Sequence, residues 1–225
     1  MTDPRSQILG AIRRSLRRSP RDAEAEETVR HRLDHHPRNL IPARTAVGPD
    51  GLVELFVAQA TAVAATVERL SSPEEIPDAV LRFLAGHNLR PAARVAPAAV
   101  LDAVPWERTP TLDVTRGAAS ADDLTSVTPA LAGIAETGTL MLVSGPETPT
   151  GLNFLPDNHI VVLRRDQVVA TYEDGWDRLR AAGAMPRTVN FITGPSRTAD
   201  IEQQIQLGAH GPRRLHILLL DVQEG

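Results

Sequence analysis

The chain has 225 residues, enough for one large domain or one domain with an appendage. It holds no cysteine and no lysine, all 24 basic residues being arginine, which excludes disulfides, thiolate-held zinc or iron–sulfur clusters, Schiff-base chemistry and a Walker lysine within this sequence. A net charge of −4 and only 3% aromatic residues argue against a nucleic-acid partner, and no apolar run is long enough to span a bilayer. The N-terminus lacks the apolar core of a signal peptide, so a cytoplasmic location is expected.

Charge is uneven along the chain. Residues 1–45 carry ten Arg against six acids, and the remainder fourteen Arg against twenty-two acids. Residues 5–18 place Ile8, Leu9, Ile12 and Leu16 on one helical face ringed by arginine, which suits docking on the chain's own domain, on a second subunit or on a membrane surface. Residues 19–50 are polar and contain Pro20, Pro37, Pro42 and Pro49, and they read as an extended arm. His31 and His35 have the i, i+4 spacing of a helical metal pair, but no glutamate follows the first and Pro37 limits a helix, so no metal site is expected.

A compact domain is expected over 51–225, preceded by the N-terminal helix and arm of 1–50. Residues 51–70 read as an apolar helix, followed by a second helix with Ser72 as N-cap, Pro73 at its first position, Glu75 at the capping-box spacing and an end near Gly86. Short strands are expected at Arg94-Val95 and Leu112–Val114, and Ser126–Ala135 leads into another at Thr139–Val143. His159–Leu163, Thr188–Thr193 and Leu215–Leu220 read as further strands, with helices at 173–182 and 200–207. Strands written as continuous apolar runs and alternating with helices predict an α/β layer structure, its mostly parallel sheet covered on both faces. Such sheets usually hold ligands at the carboxyl ends of their strands.

Two segments carry chemistry. In IAETGTLMLVSG, Glu136 stands beside Thr137, Gly138 and Thr139 at the mouth of an apolar strand. An acid there needs a pair, a hydrogen bond or a use. It suits a base, a nucleophile or an acceptor, and equally a buried carboxylate tied to the threonines or an arginine. Gly138 permits close approach by a ligand or another backbone. In GPSRTADIEQQIQLGAHGP, Gly194, Ser196, Arg197, Thr198 and Asp200 follow a strand and open the expected helix, an arrangement that suits an anion and equally a simple turn with Asp200 as cap. His210 either belongs to a glycine–proline turn or faces the same pocket. Neither G-x-G-x-x-G nor G-x-S-x-G occurs.

AETGTL at 135–140, HIVVL at 159–163, GPSRTADIE at 194–202 and HGP at 210–212, in that order, resemble the LUD domain of the lactate utilization protein C family. The resemblance implies a three-layer α/β/α fold similar to sugar-phosphate isomerases, CoA transferases and formyltetrahydrofolate cyclo-ligases. It also implies a place in a three-component system that oxidises L-lactate to pyruvate. Two cysteine-rich partners would carry the iron–sulfur clusters, and this chain would be the non-redox accessory subunit without a cofactor of its own. In related CoA transferases a strand-end glutamate is the nucleophile, and Glu136 is the residue to test for that role. The alternative is a free-standing enzyme or sensor for a small phosphorylated, acyl or carboxylate ligand, with Glu136 in its pocket. Homo-oligomers are compatible with either.

Overall fold

The computed structural model describes residues 3–16, 23–199, 205–207 and 210–221. Contacts divide the chain into residues 1–41 and 42–225. In the first unit, α1 (Pro4–Ser15) begins at the Asp3 cap, whose side chain accepts the Arg5 N–H, and it buries no residue. Ile8, Leu9, Ile12 and Leu16 are exposed. The expected extended arm instead contains a helix, α2 (Ala23–His35). Its first turn is acidic and its last turn basic, so charge complements the helix dipole and no apolar stripe is needed to signal it.

The larger unit begins with α3 (Pro49–Ala62), with proline in the first turn, and β1 (Thr66–Leu70) follows. Sequence alone ran these together as one helix over 51–70. The break falls at Val63-Ala64, where Ala64 adopts φ 68°, a left-handed stop made without glycine or proline. A 3₁₀ turn at Pro73–Glu75 leads into α4 (Ile76–Gly86), which ends where expected. The Ser72–Glu75 capping box does not form, since the Glu75 carboxylate takes the Ser71 N–H at 3.3 Å instead. Next come β2 (Ala92–Val95), the short α5 (Ala99–Asp102), β3 (Asp113–Arg116), β4 (Thr125–Pro129), β5 (Ala132–Ile134), β6 (Thr139–Val143), β7 (Asn158–Arg164), β8 (Val168–Val169) and α6 (Tyr172–Ala181). The remaining described elements are strands: β9 (Val189–Ile192), β10 (Arg197–Ala199), β11 (Ile205–Leu207) and β12 (Arg214–Leu220).

Six strands form an all-parallel sheet in the order β1-β12-β7-β4-β2-β3. Its centre is β7 and β12, whose residues His159–Leu163 and Leu215–Leu220 are all buried. That two-sided burial is why they read as unbroken apolar runs. On one face, Ile160, Val162, Leu218 and Leu220 pack under α4, which presents Ile76, Ala79, Val80, Phe83 and Leu84 at helical spacing. On the other, Val161, Leu163, Leu215, Ile217 and Leu219 meet Val53, Phe56 and Ala60 of α3. This is the helix-flanked parallel sheet of a three-layer α/β fold. The single-sheet reading omitted a second sheet, β8-β5-β6-β9, in which β6 runs antiparallel to both neighbours. Leu140 and Leu142 of β6 share the core with α3, while Ile134 and Met141 pack against Leu179 of α6. No helix among the described residues is long and apolar enough to cross a membrane.

The second sheet is fitted to α3 through glycine. Gly138 adopts φ 66°, and a Cβ there would lie 2.2 Å from the Ala60 nitrogen and 2.5 Å from the Gln59 carbonyl carbon. Backbone cannot yield as a side-chain tip can, so Gly138→Ala is expected to lower unfolding free energy by roughly 2–4 kcal/mol through overpacking plus left-handed strain. Gly86→Ala at the open end of α4, with nothing within 4 Å of the new methyl, should be neutral or stabilising. Urea denaturation of the pair checks this, and equal stabilities would refute the close-packing argument.

Candidate functional site

Glu136 lies in the turn between β5 and β6 and is 8% exposed. Its own N–H donates to the Ala170 carbonyl at 3.1 Å, which carries the hairpin turn alongside the segment leaving β8. The carboxylate Oε1 accepts the Tyr172 N–H at 3.4 Å. Tyr172 is the first residue of α6, one of the positions whose amide has no partner within the helix. The next turn is closed by a capping box, with Thr171 Oγ1 accepting the Asp174 N–H and Asp174 Oδ2 accepting the Thr171 N–H and hydroxyl. Glu136 therefore places negative charge at the positive end of a helix dipole, a long-range version of an N-cap.

Beside it runs a chain of hydroxyls. Thr137 Oγ1 and Thr139 Oγ1 are 2.7 Å apart, and each lies 3.1 Å from the Tyr172 hydroxyl. Thr139 Oγ1 also meets Thr193 Oγ1 at 2.6 Å. The two threonines of the ETGT turn are thus joined to the loop after β9. The Tyr172 ring packs edge-on against Phe191, with ring centroids 5.3 Å apart.

Thr193 opens onto a cavity of about 310 Å³ between the two sheets, lined by Asn153, Phe154, His159, Phe191–Arg197, His210–Pro212 and Leu215. His159 and Leu215 are register partners near the amino ends of β7 and β12. The cavity therefore sits at the amino edge of the parallel sheet, where the loop after β9 and the approach to β12 fold over it, and not at the carboxyl edge expected for this architecture. His159 is fully buried. Its Nε2 lies 2.7 Å from Thr128 Oγ1, while its Nδ1 has no protein partner. A buried ring nitrogen left unpaired costs ~1–3 kcal/mol and calls for an occupant of the space beside it. Burial pushes the imidazole down to about 3, so it faces the cavity as a neutral ring.

Of the residues singled out from sequence, Gly194, Ser196, Arg197 and His210 line this cavity. Glu136, Thr137, Gly138 and Thr139 do not line it, and they connect to it only through Thr139–Thr193. The expected helix start after Gly194 is instead the strand β10, paired antiparallel with β11, so the helix expected over 200–207 is absent at 205–207. The anion site that relied on that helix's free N–H groups loses its basis. The Thr198 side chain and Asp200 lie outside the described residues. Gly194, at φ 75°, meets the end of α3, where a Cβ would sit 2.3 Å from the Val63 carbonyl oxygen. Arg197 donates to that same oxygen at 2.8 Å, completing the helix's C-terminus. In α2 the His31 and His35 rings stack at 4.4 Å instead of converging on a point, and no metal-binding group of three or more His, Asp or Glu occurs among the described residues. His159, Thr193, Tyr172 and Phe191 were not foreseen as site residues. The one available signal was an imidazole heading the apolar run HIVVL.

Comparison with known proteins matches the LUD domain to residues 53–220. The chain belongs to the LUD domain family. The resemblance carried by the four ordered motifs is thereby borne out. Among curated relatives, lactate utilization protein C of Deinococcus radiodurans is 38% identical over 39% of this chain and 42% of its own length. Its namesake from Bacillus subtilis is 34% identical over 39% of each chain. An uncharacterized protein of Neisseria meningitidis serogroup B is 40% identical over 39% of this chain and 38% of its own. The chain thus spans roughly two fifths of the length of these relatives. The crystal structure of a DUF162 family protein from Deinococcus radiodurans superposes with a TM-score of 0.60 at 25% identity, covering 78% of this chain and 99% of that one.

The LUD domain buries a second imidazole, His216, which stacks on Phe83 and lies 2.8 Å from Thr66 Oγ1 through Nδ1. Its Nε2 is 3.6 Å from Glu68, beyond hydrogen-bond reach, with His87 on the other side of Phe83. Burial holds it at about 4 despite the attraction of Glu68. Above pH ~6.5 neither imidazole is protonated in either state. Below that the unfolded chain binds protons that the folded chain refuses until about 4 for His216 and about 3 for His159. Stability should therefore fall as pH drops from ~6.5, by up to roughly 1.4 kcal/mol per unit for each histidine. Urea midpoints at pH 8, 6 and 5 test the sign, and His216→Phe should remove about half of the slope. A flat wild-type profile would contradict neutral burial.

Proposed function

We propose that this chain serves in lactate utilisation as the non-redox accessory component of an iron–sulfur assembly that oxidises L-lactate to pyruvate. The observation that carries this reading is the family match over 53–220 together with relatives named lactate utilization protein C. The sequence contains no cysteine, so electron transfer through thiolate-bound clusters has to occur on partner proteins. On this proposal the two partners are cysteine-rich iron–sulfur proteins, and the chain works in the cytoplasm.

Glu136 takes a positioning role here. Its carboxylate holds the first amide of α6, beside the Thr137–Thr139–Tyr172–Thr193 chain that backs the cavity. The nucleophile role would need the carboxylate to face a substrate, and it does not line the cavity.

A second reading has its own support: a small-ligand enzyme or sensor, favoured by the cavity with the unpaired His159 nitrogen. Under it, a carboxylate or phosphate approaches Ser196, Arg197 and His210.

Deletion of the gene should abolish growth on L-lactate as sole carbon source while leaving growth on glucose intact. Glu136→Gln keeps the acceptor and removes the charge, so it should restore lactate growth, with a stability loss of ~0.3–1 kcal/mol from the helix dipole. Normal growth of the deletion strain would reject the lactate reading. Failure of a folded Glu136→Gln protein to complement would return Glu136 to catalysis.

A further inference from the structure

The cavity at the amino edge has two chemically different ends. Its inner wall is the ring of His159, fully buried, with Nδ1 unpaired and Nε2 engaged by Thr128. The opposite imidazole, His210, is exposed, and so is the guanidinium of Arg197, one of whose nitrogens is committed to the Val63 carbonyl. Phe154 and Phe191, 41% and 37% exposed, are the aromatic residues of the lining. Thr193 and Ser196 bring hydroxyls to the wall.

These ends select for opposite properties. A neutral imidazole in a buried wall does not offset the desolvation of a carboxylate or phosphate, so an anion pressed against Nδ1 is disfavoured. A hydroxyl satisfies Nδ1 in either tautomer, because it both donates and accepts, and a carbonyl satisfies the tautomer that carries the proton on Nδ1. The exposed end, with Arg197 and in part His210, is where a negative charge is favoured and stays hydrated. The space holds roughly ten water volumes, so the occupant can extend beyond a three-carbon skeleton.

We propose that this cavity binds a small organic anion by both ends, an uncharged hydroxyl or carbonyl group meeting His159 Nδ1 and a carboxylate or phosphate lying at the Arg197–His210 mouth. His159 is then the residue that tells a hydroxylated acid from a plain one, since an occupant without that group leaves Nδ1 buried and unpaired. The assignment rests on the small-ligand reading above and is independent of which pathway the chain serves.

The test is a titration of the full chain, followed through the His159 ring by long-range proton–nitrogen correlation NMR. The probes are L-lactate, sn-glycerol 3-phosphate, propionate and glycerol. L-lactate or glycerol 3-phosphate should move the Nδ1 resonance more than Nε2, and whichever of the two binds tighter fixes the headgroup as carboxylate or phosphate. Propionate, which lacks the hydroxyl, and glycerol, which lacks the charge, should bind at least tenfold more weakly. The exposed substitution His210→Gln should weaken both anions several-fold without changing the free ring's signals. His159→Phe should erase the preference for lactate over propionate. Should that variant fail to fold, the wild-type titration alone decides. Binding that leaves the His159 ring unmoved overturns this site while sparing the small-ligand reading. Equal affinity for propionate and L-lactate overturns the two-ended recognition. No binding of any probe overturns both.

Discussion

The last turn of α3 is the point on which the rest of the larger unit is assembled. Its main chain meets Gly138 at Gln59-Ala60, and its terminal carbonyl, Val63, meets Gly194 and accepts from Arg197. Two loops far apart in sequence are thereby pressed onto one helix end, each by a glycine in the left-handed region. That common support sets the loops close enough for Thr139 and Thr193 to meet at 2.6 Å. It also seats the wall of the cavity over His159. A methyl group at either glycine would push on backbone, so these positions transmit displacement directly to the site.

Glu136 illustrates how one residue type supports two opposite readings until its surroundings are known. In sequence it is an acid at the start of an apolar strand, which suits chemistry. In the fold it answers an orphan amide of α6, 36 residues further along. Nothing near Glu136 in sequence reveals that partner. The cavity carries the reverse lesson. His159 reads as part of a buried strand, and it is one, yet the packing that satisfies Nε2 leaves Nδ1 without an answer.

Much of the fold was legible because burial on both faces writes itself into composition. HIVVL and LHILLL could only be central strands, and ETGT between apolar segments could only be a tight turn. Legibility failed where local signals were honest but incomplete. Residues 51–70 are apolar throughout, so the boundary at Ala64 has no glycine or proline to mark it. The hydroxyls after Gly194 resemble a helix cap, while β10 pairs with β11 into a ribbon there. α2 was hidden by prolines that flank it and do not interrupt it. At the site, the loop residues Ser196, Arg197 and His210 were found from residue type, but the buried residues that give the cavity its character depend on contacts between distant strands.

The position of β12 has a consequence for how the chain reaches its native state. This strand lies inside the parallel sheet, between β1 and β7, and Thr66 pairs with His216 across 150 positions of sequence. During synthesis, β1 emerges long before its only strand partner exists. The other half of the sheet, β3-β2-β4-β7, can close without it, leaving one margin of β7 and the whole of β1 with unpaired backbone groups. Closure therefore waits for the segment at 214–220 to slide between two waiting edges. Such a late, long-range insertion makes folding slow relative to a sheet of neighbouring strands, and it ties the integrity of the sheet to a single heptapeptide made almost last.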